Sequence, residues 1–346
     1  MKTIIAILIM IGMIVPVSAL DFSAPDVMGE AQSVMPEEVP SFGEGLWYIL
    51  KSAIKLVRPE FSEQCKVCLS VIAVVMITSV LSNFHTKTAS LVELAGVVGI
   101  SVILLDDANT LIHIAASTVE ELSSYGKLLL PVMTAALAAQ GGGGSSAALY
   151  AGTAFFDSLL STVIGSLLVP MVYVLLVMVV ANGALVDNFL VRIRDFLKWL
   201  VTWSLKTVLY IFTGYVSITG VLAGGTDKVA LKAAKLTISG AVPVVGGILS
   251  DASETILVGA GVVKNAVGIY GMMAVVATLI TPFLRIGIMY GLLKCTMALI
   301  SVFSEKKSVD LLQGFADAMG LLLGMTGAVS LLFMISIVCF LKGMSG

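Results

Sequence analysis

Charged residues are scarce in this chain. Asp, Glu, Lys and Arg make up 12% of its 346 residues, whereas 58% are hydrophobic; a soluble domain usually carries about 25% charged residues. So little polar surface cannot cover a water-soluble globule, and the mean hydropathy of +1.05 agrees. The composition therefore excludes a soluble enzyme and a disordered chain. A net charge of −2 offers no basic field to a polyanion, so we expect no nucleic-acid partner.

Residues that carry catalysis or bind metals are also few. The two histidines, His85 and His113, are too scattered for a triad or a metal site, and the chain has no GxxxxGK[ST], HExxH or GxSxG motif. Cys65 and Cys68 form a CxxC that no second pair completes into a zinc site. We interpret this pair as helix packing, with an extracytoplasmic disulfide as the alternative. The sequence predicts no enzyme, no cofactor and no metal.

The N-terminus has the pattern of a signal peptide. Lys2 precedes an apolar run over residues 4–15, and Pro16 is followed by the small residues that a signal peptidase reads, ending at Ala19. We predict a signal peptide over residues 1–19, which would leave the mature N-terminus outside the cytoplasm. The alternative is an uncleaved first helix.

Two short segments precede the main apolar runs. Residues 20–45 contain six acidic residues, three prolines and no basic residue, which predicts an extracytoplasmic linker that does not order itself. Residues 46–58 place apolar residues at helical spacing opposite Lys51, Lys55 and Arg58, with Pro59 predicted to end the helix. This amphipathic helix either lies in the membrane interface or packs on its own bundle.

The rest of the chain, residues 65–346, is predicted to be a polytopic membrane domain. Credible spans cover residues 67–84, 89–105, 165–181, 201–223 and 319–341, and residues 269–303 supply one long helix or two short ones. Residues 106–127 are predicted to be an acidic outside loop. The fold class is therefore all-α: an integral membrane protein with five to seven transmembrane helices and with broken or re-entrant segments.

Two glycine- and proline-rich breaks are the candidate pathway-lining segments, since broken helices at membrane depth are tolerated only against protein or a wet cavity. The first break, residues 141–144, is predicted to be either a re-entrant tip or a plain loop. The region around the second break aligns with the region around the first after a shift of 112 residues. The chain is therefore either an internal duplication of about 112–223 and 224–336, or the agreement is chance. The candidate residues are Gly141, Gly142, Gly143, Gly144, Pro243, Gly246, Gly247, Asp251 and Glu254.

Charges inside apolar runs are the remaining candidates for a pathway or buried site, because each costs about 2.5–3.5 kcal/mol at mid-bilayer. Arg285 has the most apolar flanks, and an ion pair with Asp157 is one hypothesis; snorkelling near an interface is the alternative. GxxxG pairs such as Gly287/Gly291 predict closely packed helices. The five candidate charges are Glu93, Asp157, Lys264, Arg285 and Lys294.

One stretch resembles a known family. Residues 235–271, KLTISGAVPVVGGILSDASETILVGAGVVKNAVGIYG, and the flanking segments FTGYVSI, PFLR and LLQGFADAM are similar to the stage III sporulation protein AE family. The resemblance implies a multi-pass component of the mother-cell membrane around the forespore, within a secretion-like channel complex that supports late forespore gene expression. It implies as partners the other stage III A proteins (an ATPase, ring-forming and small membrane components) and the forespore stage II Q protein, with membrane lipid. It carries over no catalytic residue.

Two functional classes remain open from the residues themselves. One is a membrane-embedded component of a channel assembly, and the other is an autonomous small-molecule or ion transporter with a midplane site between two repeats. Broken helices and buried charges fit both classes.

Overall fold

The computed structural model describes residues 24–36, 41–84, 89–139, 143–184, 189–218, 266–302 and 306–345. All regular structure in these ranges is helical, which confirms the all-α prediction there. The predicted signal peptide, residues 1–19, and the broken segment 239–261 lie outside the described residues.

Eight α-helices follow one another in the described part of the chain. A single π-helical turn, Ile164–Leu168, joins two of them. The helices are α1 (Ala31–Val34), α2 (Phe42–Phe84), α3 (Ala89–Ala139), α4 (Gly143–Val163), α5 (Val169–Ala184), α6 (Phe189–Ile218), α7 (Ala266–Ile300) and α8 (Lys306–Ser345).

Five helical stretches are long and apolar enough to cross a membrane, which agrees with the lower limit of the predicted number of spans. Among the described residues α6, which contains most of the predicted span 201–223, falls outside this set. Its first half carries Arg192, Arg194, Asp195 and Lys198, and its second half mixes Lys206 with polar and aromatic residues. The five stretches are Phe42–Ser82, Ala89–Ala138, Ser146–Ala184, Val267–Ile300 and Lys306–Lys342.

The prediction that Pro59 ends a helix is wrong. α2 runs through Pro59 for 43 residues; proline removes one backbone donor, and the packing of the neighbouring turns holds the helix across that gap. Ile49, Ala53 and Val57 form one face that is at most 2% exposed. Residues 46–58 therefore pack on the bundle, which agrees with the second of the two interpretations and not with a helix that lies in the membrane interface.

The predicted outside loop at residues 106–127 is also wrong. α3 continues through it for 51 residues, because Ala108, Ile112, Ala115 and Val119 form a buried stripe at helical spacing while the acidic side chains occupy other faces. At 1.5 Å per residue α3 is about 77 Å long, more than twice the hydrocarbon thickness of a bilayer. Much of its charged second half therefore lies beyond the hydrocarbon or faces protein.

α4 and α5 form one continuous unit. The π-helical turn between them, Ile164–Leu168, lies just before Pro170, which has no backbone donor for the usual bond one turn back. A wider turn accommodates that missing donor without ending the helix. The predicted span at 165–181 is thus the second half of one continuous helical stretch, Ser146–Ala184.

α8 is the centre of the bundle. It packs against α3, α4, α5, α6 and α7, and 94% of its most apolar 18-residue window is buried. Phe315, Phe333 and Phe340 are each at most 1% exposed along its length. α3 runs antiparallel to the α4–α5 rod, since Ser123 bonds Asp157 and Asn109 bonds Tyr173.

The acidic N-terminal segment is ordered where it is described. In residues 24–36, Val27, Ala31 and Val34 are at most 3% exposed, and α1 packs against α2 and α7. The prediction that the whole linker, 20–45, does not order itself is therefore wrong for this part. Val27, Ala31 and Val34 lie on one side, which lets them be buried while the acidic residues and Met28 remain exposed.

Candidate functional site around Arg285

Arg285, near the middle of α7, joins three elements. Its Nη2 atom lies 2.8 Å from Oε1 of Glu60 on α2 and 3.0 Å from Oε1 of Glu30 beside α1. The arginine side chain is 15% exposed. The predicted partner, Asp157, instead accepts a hydrogen bond from Ser123 Oγ at 2.8 Å on α3. The Arg285–Asp157 pair is therefore wrong, and Arg285 binds two carboxylates of the N-terminal region.

Two cavities flank Arg285. The larger has a volume of about 360 Å³ and lies between α2 and α3; the smaller, of about 240 Å³, lies between α3, α7 and the segment 24–36. Arg285 and Ile114 line both. The guanidinium thus forms part of the partition between two hollow spaces.

Acidic side chains outnumber basic ones in the walls of both cavities. Glu60, Glu63 and Asp107 line the larger one, and Glu30 and Glu121 line the smaller one. Arg285 is the one cation among these lining residues, so the region favours cations over anions. Several lining atoms are buried without a hydrogen-bond partner in the described part, and polar cavities of this size are normally hydrated. These atoms are Gln64 Oε1, Asp107 Oδ2, Thr281 Oγ1 and Arg285 Nε.

A double-mutant cycle tests the pairing. We expect Arg285→Ala and Glu60→Ala to show a coupling free energy of roughly 1 kcal/mol, since contacting charges couple and partial exposure weakens them. The measurement is unfolding of the detergent-solubilised chain. The cycle of Arg285→Ala with Asp157→Ala serves as the control and should be additive. Coupling of Arg285 to Asp157 but not to Glu60 would contradict the structure.

A second polar network ties α6, α7 and α8 together. Lys198 Nζ on α6 lies 2.9 Å from Asp317 Oδ1 on α8, and Gln313 Nε2 donates to the same oxygen at 2.7 Å. The predicted residue Lys294, on α7, donates to Gln313 Oε1 at 2.9 Å. Lys294 is thus satisfied by a neutral acceptor and by the nearby face of Tyr290, 5.7 Å from its ring centroid.

The other predicted charges also have partners where the structure describes them. Glu93 accepts from Lys307 Nζ at 3.1 Å, which joins the beginnings of α3 and α8. Asp157 is 3% exposed at the α3–α4 contact. The expectation that these charges face a partner holds for both, but the structure distributes Glu93, Asp157, Arg285 and Lys294 over separate contacts.

Most residues of the two predicted breaks fall outside the described part. Gly143 and Gly144 begin α4, and α3 and α4 pack against each other. The choice between a re-entrant tip and a plain loop, and the duplication, stay predictions. The candidates outside the described residues are Gly141, Gly142, Pro243, Gly246, Gly247, Asp251, Glu254 and Lys264.

The residues that sequence reasoning missed lie in the segment assigned to a linker, in the unassigned residues after Pro59 and in the predicted loop 106–127. Glu30, Glu60 and Glu121 surround Arg285, but none of them interrupts an apolar run. The buried stripe through 108–119 was the available signal, because it makes residues 89–139 one helix. Once residues 89–139 are taken as one helix, its acidic residues belong to the helix bundle and not to an outside loop.

Metal and thiol chemistry find no support in the described residues. They contain no group of three or more His, Cys, Asp and Glu side chains arranged to hold a metal ion. Cys65, Cys68, Cys295 and Cys339 are all free thiols, and Cys68 is 4% exposed. The burial of Cys68 agrees with the helix-packing interpretation of the CxxC.

Comparison with known proteins decides the family. The family model described as Stage III sporulation protein AE matches residues 41–343. The chain belongs to this family. The resemblance of residues 235–271 is thereby confirmed, and the family's name connects the chain with sporulation.

A curated member of the stage III sporulation protein AE family is similar over most of the chain. The Stage III sporulation protein AE of Bacillus subtilis (strain 168) is 22% identical over 264 residues, covering 76% of this chain and 66% of that protein. The chain thus aligns with slightly less than two thirds of that relative. No solved structure matches the chain.

Proposed function

We propose that this chain is a non-enzymatic, membrane-embedded component of the channel complex that joins the mother cell to the forespore and supports late forespore gene expression. Its partners are the other stage III A proteins (the ATPase, the ring-forming and the small membrane components) and the forespore stage II Q protein. The family match over residues 41–343 is the observation that carries the proposal. The five apolar helices support a place in the mother-cell membrane around the forespore.

The packing supports a scaffold. α8 is enclosed by five other helices, and ion pairs join different helices, as in Lys198–Asp317 and Lys307–Glu93. Such a closed bundle holds its helices in fixed positions. A fixed bundle suits a part on which other subunits assemble.

One end of the bundle is basic, and we place it in the cytoplasm. Arg192, Arg194, Lys306 and Lys307 lie at the beginnings of α6 and α8, and cytoplasmic flanks are enriched in such residues. Three exposed aromatic rings follow on α6, with centroids 5.9 and 6.0 Å apart, as expected for an interfacial belt. This orientation puts the beginning of α2, and with it the mature N-terminus, outside the cytoplasm.

An autonomous transporter is the second candidate, because two cavities flank Arg285 about halfway along α7. A transporter works alone, whereas a component of an assembly needs its partners. Purified chain in liposomes that moves small cations by itself would favour this alternative.

The test is a pull-down from native membranes of sporulating cells through a C-terminal tag, read by mass spectrometry. We expect the other stage III A proteins and stage II Q to be enriched over the same cells carrying the untagged chain. Recovery of the tagged chain alone, as a monomer or homo-oligomer, would contradict the proposal and favour the transporter.

A further inference from the structure

The segment 24–36 packs against α2 and α7 and approaches Glu121 of α3. Val27, Ala31 and Val34 are its buried apolar residues. Glu30 reaches Arg285, and the Tyr270 hydroxyl donates to Asp26 Oδ1 over a long 3.4 Å. Both carboxylates belong to exposed residues. We name this segment, residues 24–36, the strap.

Much of the strap's hydrogen bonding is internal. Gln32 Nε2 donates to Val27 O at 2.8 Å, and Ser33 Oγ donates to Glu30 O at 2.7 Å. Gly29 makes its turn with φ of +63°, a conformation that costs glycine little. Because these bonds lie within the strap, they are kept when it leaves the bundle.

The charges beneath the strap lower the cost of its departure. Arg285 keeps Glu60 at 2.8 Å when Glu30 leaves, so no unpaired guanidinium remains. A Cβ on Gly29 would lie only 3.4 Å from Glu121 Oε2, which shows how closely that carboxylate approaches the strap.

The strap forms one wall of the smaller cavity. Glu30 and Ala31 line it on one side, and Thr118, Thr278 and Thr281 line it on the other. A volume of about 240 Å³ has room for several water molecules at roughly 30 Å³ each. Removal of the strap therefore opens a polar space between α3 and α7.

We propose that the strap is a detachable cover of this cavity and that the Glu30–Arg285 ion pair is its anchor. The closed state is the one described by the structure. Loss of the anchor shifts the chain towards an open state in which the α7 wall of the cavity faces solvent, while the bundle around α8 stays folded.

The test uses Thr281→Cys as a reporter, because Thr281 is 1% exposed on the cavity wall. The full chain, with its four native cysteines replaced by alanine, is purified in detergent and labelled with a water-soluble maleimide. We expect Glu30→Gln to speed labelling by about tenfold, since labelling follows the population of the open form. Gly29→Ala, which strains the turn, should act in the same direction.

Glu60→Gln is the matched control, because it removes the other carboxylate of Arg285 without touching the strap. It should not speed labelling, because without Glu60 the departure of Glu30 would leave the Arg285 guanidinium unpaired. Equal rates in the parent and in Glu30→Gln overturn the proposal, and so does equal acceleration by Glu60→Gln. Where Thr281→Cys does not fold, Thr278→Cys, 6% exposed on the same wall, replaces it as the reporter.

Discussion

Replacement of Gly126 by valine is expected to prevent the assembly of the bundle. A Cβ at this position would overlap the ring of Phe333 on α8, and Phe333 is 1% exposed in the centre of the core. A buried aromatic ring enclosed on all sides cannot move aside, and overpacking of a filled core costs about 1–3 kcal/mol or more. We expect aggregation or a large loss of monodisperse protein in size-exclusion chromatography.

The chain offers its own control for this substitution. A Cβ at Gly287 or Gly291 meets nothing within 4 Å, so Gly287→Ala should preserve assembly and gain up to about 1 kcal/mol from helix propensity. Gly126→Ala combined with Phe333→Leu should recover part of the lost protein. A monodisperse Gly126→Val chain of unchanged stability would contradict the packing of α3 on α8.

Replacement of Asp317 by leucine is expected to lower the free energy of unfolding by about 1–3 kcal/mol, because the partly buried Lys198 ammonium and the Gln313 amide lose their acceptor. Asp317 is 4% exposed; without it, Lys198 and the amide of Gln313 lose their shared acceptor. The measurement is reversible unfolding in detergent.

A second substitution shows whether the loss comes from the unpaired lysine. Lys198→Met with Asp317→Leu should recover much of the stability, since apolar replacement of both members of a buried pair is often neutral. The exposed pair Arg194–Asp195, where Asp195 is 60% exposed, is the control: Arg194→Gln should cost less than about 0.5 kcal/mol. Equal losses for the two pairs would contradict the buried network.

The all-α class and the number of apolar helices could be predicted from composition and run length. The helix ends could not be predicted, because a proline was taken to end a helix and a cluster of acidic residues was taken to form a loop. Pro59 and the acidic residues after Leu105 occupy faces of helices whose opposite faces are buried. Tertiary packing keeps both segments helical. Only for α3 did the sequence contain a signal of this, the buried stripe of apolar residues at helical spacing.

The glycines at which helices approach each other closely could not be identified from spacing either. The GxxxG pair Gly287/Gly291 predicted a close approach, yet both positions face open space, whereas Gly126 and Gly268 meet α8 side chains directly. A small residue permits contact from either side of a helix, and spacing alone does not say which side is used. The partners of Arg285 were missed for a related reason, since Glu30 belongs to a segment assigned to a linker.

The enclosure of α8 has a consequence for biosynthesis. The ribosome makes α8 after the five helices that surround it. Until then those helices can pack only on one another, as α3 does on α4, while the contact sites for Phe315, Phe333 and Phe340 stay empty. A premature stop before Lys306 would therefore leave a hollow assembly exposed to membrane quality control, although it would remove only the last of the long helices.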